Sequence, residues 1–260
     1  MIGGRPVLPA VCVMSWMADG CEQFYPGYRF VRCEDYRTLK GIAFDENAAE
    51  DYCMEIEEAR KGDSGEIELD VEVSSRPPRG KAHRHYSGRI LLVSGMSEAT
   101  VCAGFEEDES QVIEGATLYQ DGTLFHGPTF RVVERVISLS DQGLKMQCRL
   151  PVIGEDEQGQ FPVRGFNPYA ADALFQAMLV WVRRHRDAGS LPSKVATLEH
   201  GCSIPVDRTF YVSLEVRNNG RTSLIADVTA HDEAGAVFCR MLGAEVTVSK
   251  KLNDQFLRAT

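Results

Sequence analysis

The sequence predicts an α+β chain made of a duplicated unit, in which one long helix is followed by a run of antiparallel strands and the whole pattern is used twice. Three observations carry that prediction. Two segments place apolar residues at helical spacing, most of the remainder alternates apolar and polar residues as strands do, and the order of helix and strands recurs along the chain.

The first helical segment covers residues 9–24, where Val13, Met14, Met17, Cys21 and Phe24 fall on one stripe. Pro9 suits its start, because the first helical N–H has no partner inside the helix. Residues 66–73 alternate strictly, which marks a strand with one wet and one buried face, and 88–93 read as another. His83-Arg84-His85, just after Pro77-Pro78, reads as a basic surface loop. Strands are then expected over 130–139 and 143–150, divided by a turn at 140–143.

The second helical segment covers 168–186, with Ala171, Leu174, Phe175, Met178 and Val182 on its stripe. Pro168 opens it, and Arg183, Arg184, His185 and Arg186 close it with positive charge that complements the dipole. Strands at 210–216, 223–230 and 236–248 follow, separated by Asn218-Asn219-Gly220 and by 232–235. The acidic runs 106–110 and 154–160 read as hydrated loops.

Repetition fixes the organisation. Thr38-Leu39 begins 29 residues after Pro9, and Thr197-Leu198 begins 29 residues after Pro168, each expected to lead into a short apolar strand. The halves are therefore placed at 1–100 and 116–250, with a linker over 96–115. A helix apolar on more than one side, followed by four or five strands, is what a sheet wrapped round a central helix requires.

Composition narrows the function classes. The 260 residues are 43% apolar and 25% charged, an ordinary globular balance. With 28 Lys plus Arg against 38 Asp plus Glu, the net charge of −10 argues against a nucleic-acid binder, which needs a basic patch to displace counterions. No stretch approaches the roughly 18 apolar residues of a membrane-spanning helix, and residues 1–6 lack the basic-then-apolar layout of a secretory leader. Cysteines 12, 21, 33, 53, 102, 148, 202 and 239 are spread out with no C-x-x-C pair, which suggests reduced, mostly buried thiols in a cytoplasmic protein rather than a zinc site.

Three motifs can carry chemistry. Gly4-x-x-x-x-Pro9 puts a glycine, which lets a ligand approach the backbone, just before a helix start that favours negative charge; a plain loop is the other reading. Asp172-x-x-x-Gln176 sets both side chains on one helix face, so that Gln176 can orient the carboxyl. If buried in its apolar setting, Asp172 has a raised pKa and can donate a proton near neutral pH; if exposed, it is an ordinary acid near a helix start. Third, Gly122-Thr123-Leu124-Phe125-His126-Gly127-Pro128-Thr129-Phe130 is a tight turn with His126 at its corner, a place where a histidine is commonly structural or exposed.

Taken together and in this order, the motifs resemble the dehydratase domain of polyketide synthases and polyunsaturated fatty acid synthases, over essentially the whole chain. The family pattern His-x-x-x-Gly-x-x-x-x-Pro places its glycine at Gly4 and its proline at Pro9, and Pro-x-x-x-Asp-x-x-x-Gln/His matches Pro168, Asp172 and Gln176. The Gly-Pro-x-Phe turn matches Gly127, Pro128 and Phe130. Leu124-Phe125-His126-Gly127 looks like the polyunsaturated fatty acid and enediyne branches, whereas modular synthases more often carry Tyr where His126 stands.

This resemblance implies a double hot-dog fold, two sheets each wrapped round a long helix. It implies loss of water from a 3-hydroxyacyl thioester on an acyl carrier protein to give a 2-enoyl thioester. Asp172 would donate to the departing hydroxyl, Gln176 would orient it, and the Gly4 amide would stabilise enolate-like charge. Pro9, Phe125, His126, Gly127, Pro128 and Phe130 would line the tunnel. The family's histidine base falls immediately before Met1, and the first strand of the first hot-dog is expected upstream as well. No metal, nucleotide or flavin is implied, since phosphopantetheine carries the substrate. The implied partners are the acyl carrier protein, other synthase domains and a second copy in a homodimer, with no nucleic acid and no membrane. Arg183, Arg184 and Arg186 are the expected basic patch for an acidic carrier. A non-catalytic acyl-binding or scaffold double hot-dog, and a hot-dog thioesterase or cyclase, are the alternatives.

Overall fold

A computed structural model describes residues 2–44, 51–62, 65–76, 81–95, 112–158 and 162–253. In chain order the elements are α1 (Ala10–Phe24), β1 (Arg29–Thr38), β2 (Tyr52–Lys61), β3 (Glu66–Ser75), β4 (His83–Val93), β5 (Ile113–Glu114), α2 (Gly115–Gln120), β6 (Val133–Ser140), β7 (Gly143–Arg149), α3 (Pro168–Arg186), β8 (Gly189–His200), β9 (Thr209–Asn219), β10 (Ser223–His231) and β11 (Val237–Ser249). The strands form one 11-stranded sheet in the order β2-β3-β4-β1-β8-β11-β10-β9-β7-β6-β5.

The halves meet at its centre. β1 follows α1, β8 follows α3, and the two pair antiparallel from Arg32↔Glu199 to Arg37↔Lys194. Each half thus repeats one path, with a helix, a central strand and then a meander, and the second half adds β5, β6 and β7 before its helix. This is the expected double hot-dog. α1 packs on α3, β1 and β4, while α3 packs on β7, β8, β9, β10 and β11. Every residue of α3 from Ala170 to Val182 is buried, so this helix is the axis that the sheet curves around. Trp181, about 1% exposed, lies toward its C-terminal end and gives its indole N–H to the Ser140 carbonyl at 2.9 Å.

Both helical expectations hold within a residue. The expected strands at 66–73, 88–93, 143–150, 210–216, 223–230 and 236–248 are also present, several of them longer than expected. β1, β2 and β8 have no counterpart among the expected strands, and the Thr-Leu echo lies at or inside a strand instead of leading into one. The cause in β1 is irregular register, shifting between Phe30 and Arg32 and again between Glu34 and Arg37, with Asp35 at φ 48°. The shifts put inward residues at Phe30, Cys33 and Tyr36, a spacing of three that hides the strand period. In β8, Pro192 lies past the last residue paired with β1 and beside an irregularity opposite Val246, so a proline is tolerated.

Two further expectations need correction. The strand expected from Phe130 begins at Val133, because Pro128–Phe130 is a 3₁₀ turn that follows Gly127. His85 is not on the surface. It is buried in β4, bonded by Nε2 to Ser75 Oγ at 2.7 Å and by Nδ1 to the Lys40 carbonyl at 2.9 Å, while His83 and Arg84 remain exposed. Of the linker expected over 96–115, residues 96–111, and with them the acidic run 106–110, lie outside the described residues; 113–115 open β5 and α2.

Candidate active site

Asp172 lies in the second turn of α3, whose start is fixed by Asn167: its side-chain oxygen accepts from the N–H groups of Tyr169 and Ala170 at 3.0 and 3.2 Å. The i, i+4 spacing does what it suggested. Gln176 Nε2 donates to Asp172 Oδ2 at 2.9 Å and to the Phe130 carbonyl at 2.8 Å, while Gln176 Oε1 accepts from the Tyr119 hydroxyl at 2.9 Å. Tyr119 Oη in turn accepts from Val133 N at 3.2 Å. Both amide protons and the amide oxygen of Gln176 are therefore used, and the amide can point only one way.

His126 completes the cluster, with Nε2 3.2 Å from Asp172 Oδ2. Phe125 stacks on its ring at 4.7 Å between centroids. Burial pushes the Asp172 carboxyl above its usual range, opposed by His126 and by the Gln176 bond. The same burial lowers the His126 imidazole, against the pull of Asp172. Both shifts favour uncharged partners. Nearby Cys12 is held as a thiol, its pKa pushed up to about 12 by burial and then by Asp172.

Asp172, His126 and Phe125 face a cavity of about 210 Å³ lined by both halves of the molecule. Ile2, Val7, Leu8, Pro9 and Ala10 come from the approach to α1 and its first residue, Thr38, Gly41 and Tyr86 from the end of β1, the segment after it and β4, and Phe125, His126, Asp172, Phe175 and Leu179 from the second half. Leu191, Pro192 and Val246 close the apolar wall. A larger depression of about 550 Å³ lies at the far end of α1 beside Asp19, Glu22, Arg164 and His200. Burial and then Glu22 raise the Asp19 carboxyl there to about 6, opposed by Arg164 and by the Gly165 backbone amide. Among the described residues no group of three or more His, Cys, Asp and Glu is placed to hold a metal.

The sequence-derived site residues divide into those at the cavity and those behind it. Asp172, His126, Phe125 and Pro9 line it, and Gln176 stands behind Asp172. Gly127 and Pro128 are exposed in the turn, and Phe130 packs on Tyr169 at 4.8 Å and contributes its carbonyl to Gln176. These three shape the site without lining it. Gly4 is placed differently from its expected position at a helix start. α1 begins at Ala10, and Gly3 and Gly4, at φ 59° and 76°, form the two-residue turn between Ile2 and Arg5. Pro6 and Pro9 keep the intervening chain extended, and Val7 bridges Ala43.

Tyr119 went unseen in the sequence. It lies 57 positions from the glutamine it orients, and no local spacing signals such a contact. The arginines expected to form a docking patch also make contacts within the chain. Arg183 binds Asn253 and the Gly122 carbonyl, Arg184 pairs with Asp121, and Arg186 holds Asn219 and the Ser223 carbonyl.

Comparison with known proteins places the chain in a family and matches its fold. Residues 106–256 match the family model described as the polyketide synthase dehydratase N-terminal domain. The chain is 27% identical over 242 residues to a polyunsaturated fatty acid synthase polypeptide from Thraustochytrium sp. (strain ATCC 26185 / S-3), covering 92% of this chain and 8% of that protein. Among solved structures, the dehydratase domain of RzxB from Pseudomonas fluorescens superposes with a TM-score of 0.73 at 13% identity, over 94% of this chain and 87% of the other. A trans-AT polyketide synthase dehydratase domain from Brevibacillus brevis gives a TM-score of 0.72 at 18% identity, over 95% and 88%. The matched family model covers more than half of the residues, and the chain belongs to the polyketide synthase dehydratase family.

Proposed function

We propose that this chain removes water from a 3-hydroxyacyl thioester carried by the phosphopantetheine arm of an acyl carrier protein, giving a 2-enoyl thioester, as one domain of a larger cytoplasmic synthase. The observation that carries this reading is Asp172: a buried carboxyl with a raised pKa, held by Gln176 at the wall of an apolar cavity. In the elimination a base takes the proton from the carbon α to the thioester carbonyl. The C3–O bond breaks as Asp172 gives its proton to the leaving hydroxyl, so water departs and a C2–C3 double bond forms. α1 begins at Ala10 beside the cavity, and the N-terminal end of a helix favours negative charge on the thioester oxygen. A histidine directly before Met1 is the base that the family pattern implies. A homodimer is the expected assembly.

The test is dehydration of a 3-hydroxyacyl thioester surrogate by this chain and by the chain with histidine joined before Met1. We expect the added histidine to raise the rate, and Asp172→Asn to lower it by about 10²–10⁴ in both, the span of one general acid. A rate indifferent to Asp172→Asn removes the assignment. Hydrolysis of the thioester in place of dehydration moves it to the thioesterases.

A further inference from the structure

Asp172 has two carboxyl oxygens, and the structure treats them differently. Oδ2 faces both Gln176 Nε2 at 2.9 Å and His126 Nε2 at 3.2 Å. Gln176 Nε2 can only donate there, because its Oε1 already accepts from Tyr119. The second contact depends on the imidazole tautomer. His126 Nδ1 is buried with no hydrogen-bond partner. A proton on Nδ1 would leave a buried donor unmet, whereas a proton on Nε2 satisfies a bond to Oδ2 and leaves only a lone pair on Nδ1. The geometry selects the Nε2–H tautomer.

We propose that His126 is a titratable positioning residue of this site: as the neutral Nε2–H tautomer it donates, with Gln176, to Asp172 Oδ2, so that the acid's proton resides on Oδ1 and is delivered from there. This rests on the dehydratase reading of Asp172. An oxygen that accepts two N–H donors takes the carbonyl role in a protonated carboxyl, and the hydroxyl role falls to the other oxygen.

The arrangement has a built-in acid limit. Protonating Nδ1 makes the ring a cation beside Asp172, which favours loss of the Asp172 proton and leaves an ion pair with nothing to donate to the leaving group. The chain's amino terminus opposes the His126 cation by like-charge repulsion, and the remaining neighbours are uncharged or turned away. Cys12 from α1 stays a thiol, Tyr119 from α2 is held as a phenol by burial, and the Arg131 guanidinium is turned to the His126 backbone carbonyl at 3.1 Å. A phenol at position 126 could donate the same bond and would not titrate in the same range.

The test has a spectroscopic and a kinetic arm. Long-range proton–nitrogen correlation spectra of the wild-type chain at pH 7.5 should show His126 Nε2 protonated and Nδ1 bare; the opposite tautomer overturns the proposal without any activity measurement. In the kinetic arm, dehydration is followed from pH 5 to 8. The wild-type rate should fall on the acid side, His126→Tyr should keep the neutral-pH rate within about tenfold and lose that acid limb, and His126→Phe should lose about a hundredfold, the scale of one positioned donor. His126→Tyr retaining the wild-type acid limb, or His126→Phe at the wild-type rate, overturns the proposal while Asp172→Asn sensitivity leaves the dehydratase reading standing. Loss of the Asp172→Asn effect instead removes the reading itself.

Discussion

The two long helices hold matching places in the two halves, and their interiors differ at two positions. Four and eight residues after Pro9, α1 has Val13 and Met17, both fully buried. Four and eight residues after Pro168, α3 has Asp172 and Gln176, also buried. The packing environment of α1 explains its choice. Met17 lies against Gly88, where an added Cβ would come within 3.4 Å of its Cε, and Cys33 and Tyr36 close the same space, which leaves no room for a polar network. Around α3 the Phe125–Phe130 turn supplies an imidazole and a carbonyl, and α2 supplies a phenol. A buried carboxyl needs such partners, because without them its desolvation is uncompensated. The difference shows that the half carrying Asp172 is defined less by its helix than by the turn and the short α2 that precede it.

The largest effect expected from breaking that contrast is Val13→Asp. It places a carboxyl at the sequence-equivalent position of α1 with none of the partners that Asp172 has, and it should cost on the order of 3–5 kcal/mol, read as a lowered urea midpoint at unchanged slope. A cost below about 1 kcal/mol would mean that α1 can hold a carboxyl and that the surroundings of α3 are not special.

Next in size is the pH dependence of stability contributed by Asp172. Its folded pKa is raised by burial, so the native state binds this proton more tightly than the unfolded chain does. That contribution is fully present below the ordinary carboxylate value of about 3.9 and is lost as pH rises through the folded value. Asp172→Asn removes the titration while keeping the shape, so the melting temperature of the variant relative to wild type should rise steadily from pH 4 upward. His126 works in the opposite sense: its lowered pKa makes stability fall as pH drops below about 6.5, and it should do so in both proteins. A variant that runs parallel to wild type across that range would show that Asp172 is not desolvated in solution.

How much of this was legible follows from the range of each signal. Asp172 and Gln176 were visible because one helical turn joins them, and so was the long apolar face of α3. His126 stood out as a residue, but its bond to Asp172 spans 46 positions and depends on how the turn folds back onto α3. Tyr119 carried no local mark. β1 was hidden by its register shifts and β8 by Pro192, both features that break a period of two without breaking the sheet. Gly4 was misplaced for a related reason: the motif correctly marks a turn, and two prolines hold that turn away from the helix it was expected to open.

The smallest effect separates helix capping from site geometry. α1 has no side-chain cap at Pro9, whereas Asn167 bonds two N–H groups at the start of α3. Asn167→Ala should therefore cost about 1 kcal/mol, the usual cost of a lost cap. Asp172 lies five residues further on and is tied to His126 and Gln176, with Gln176 itself tied to Phe130 and Tyr119. Fraying of the first turn should stop before it reaches that network, so kcat/KM should stay within about threefold of wild type even as the melting temperature falls. If activity fell in proportion to stability, the position of Asp172 would be set by the helix start and not by the turn and α2, and the contrast between the two helices would reduce to which of them is capped.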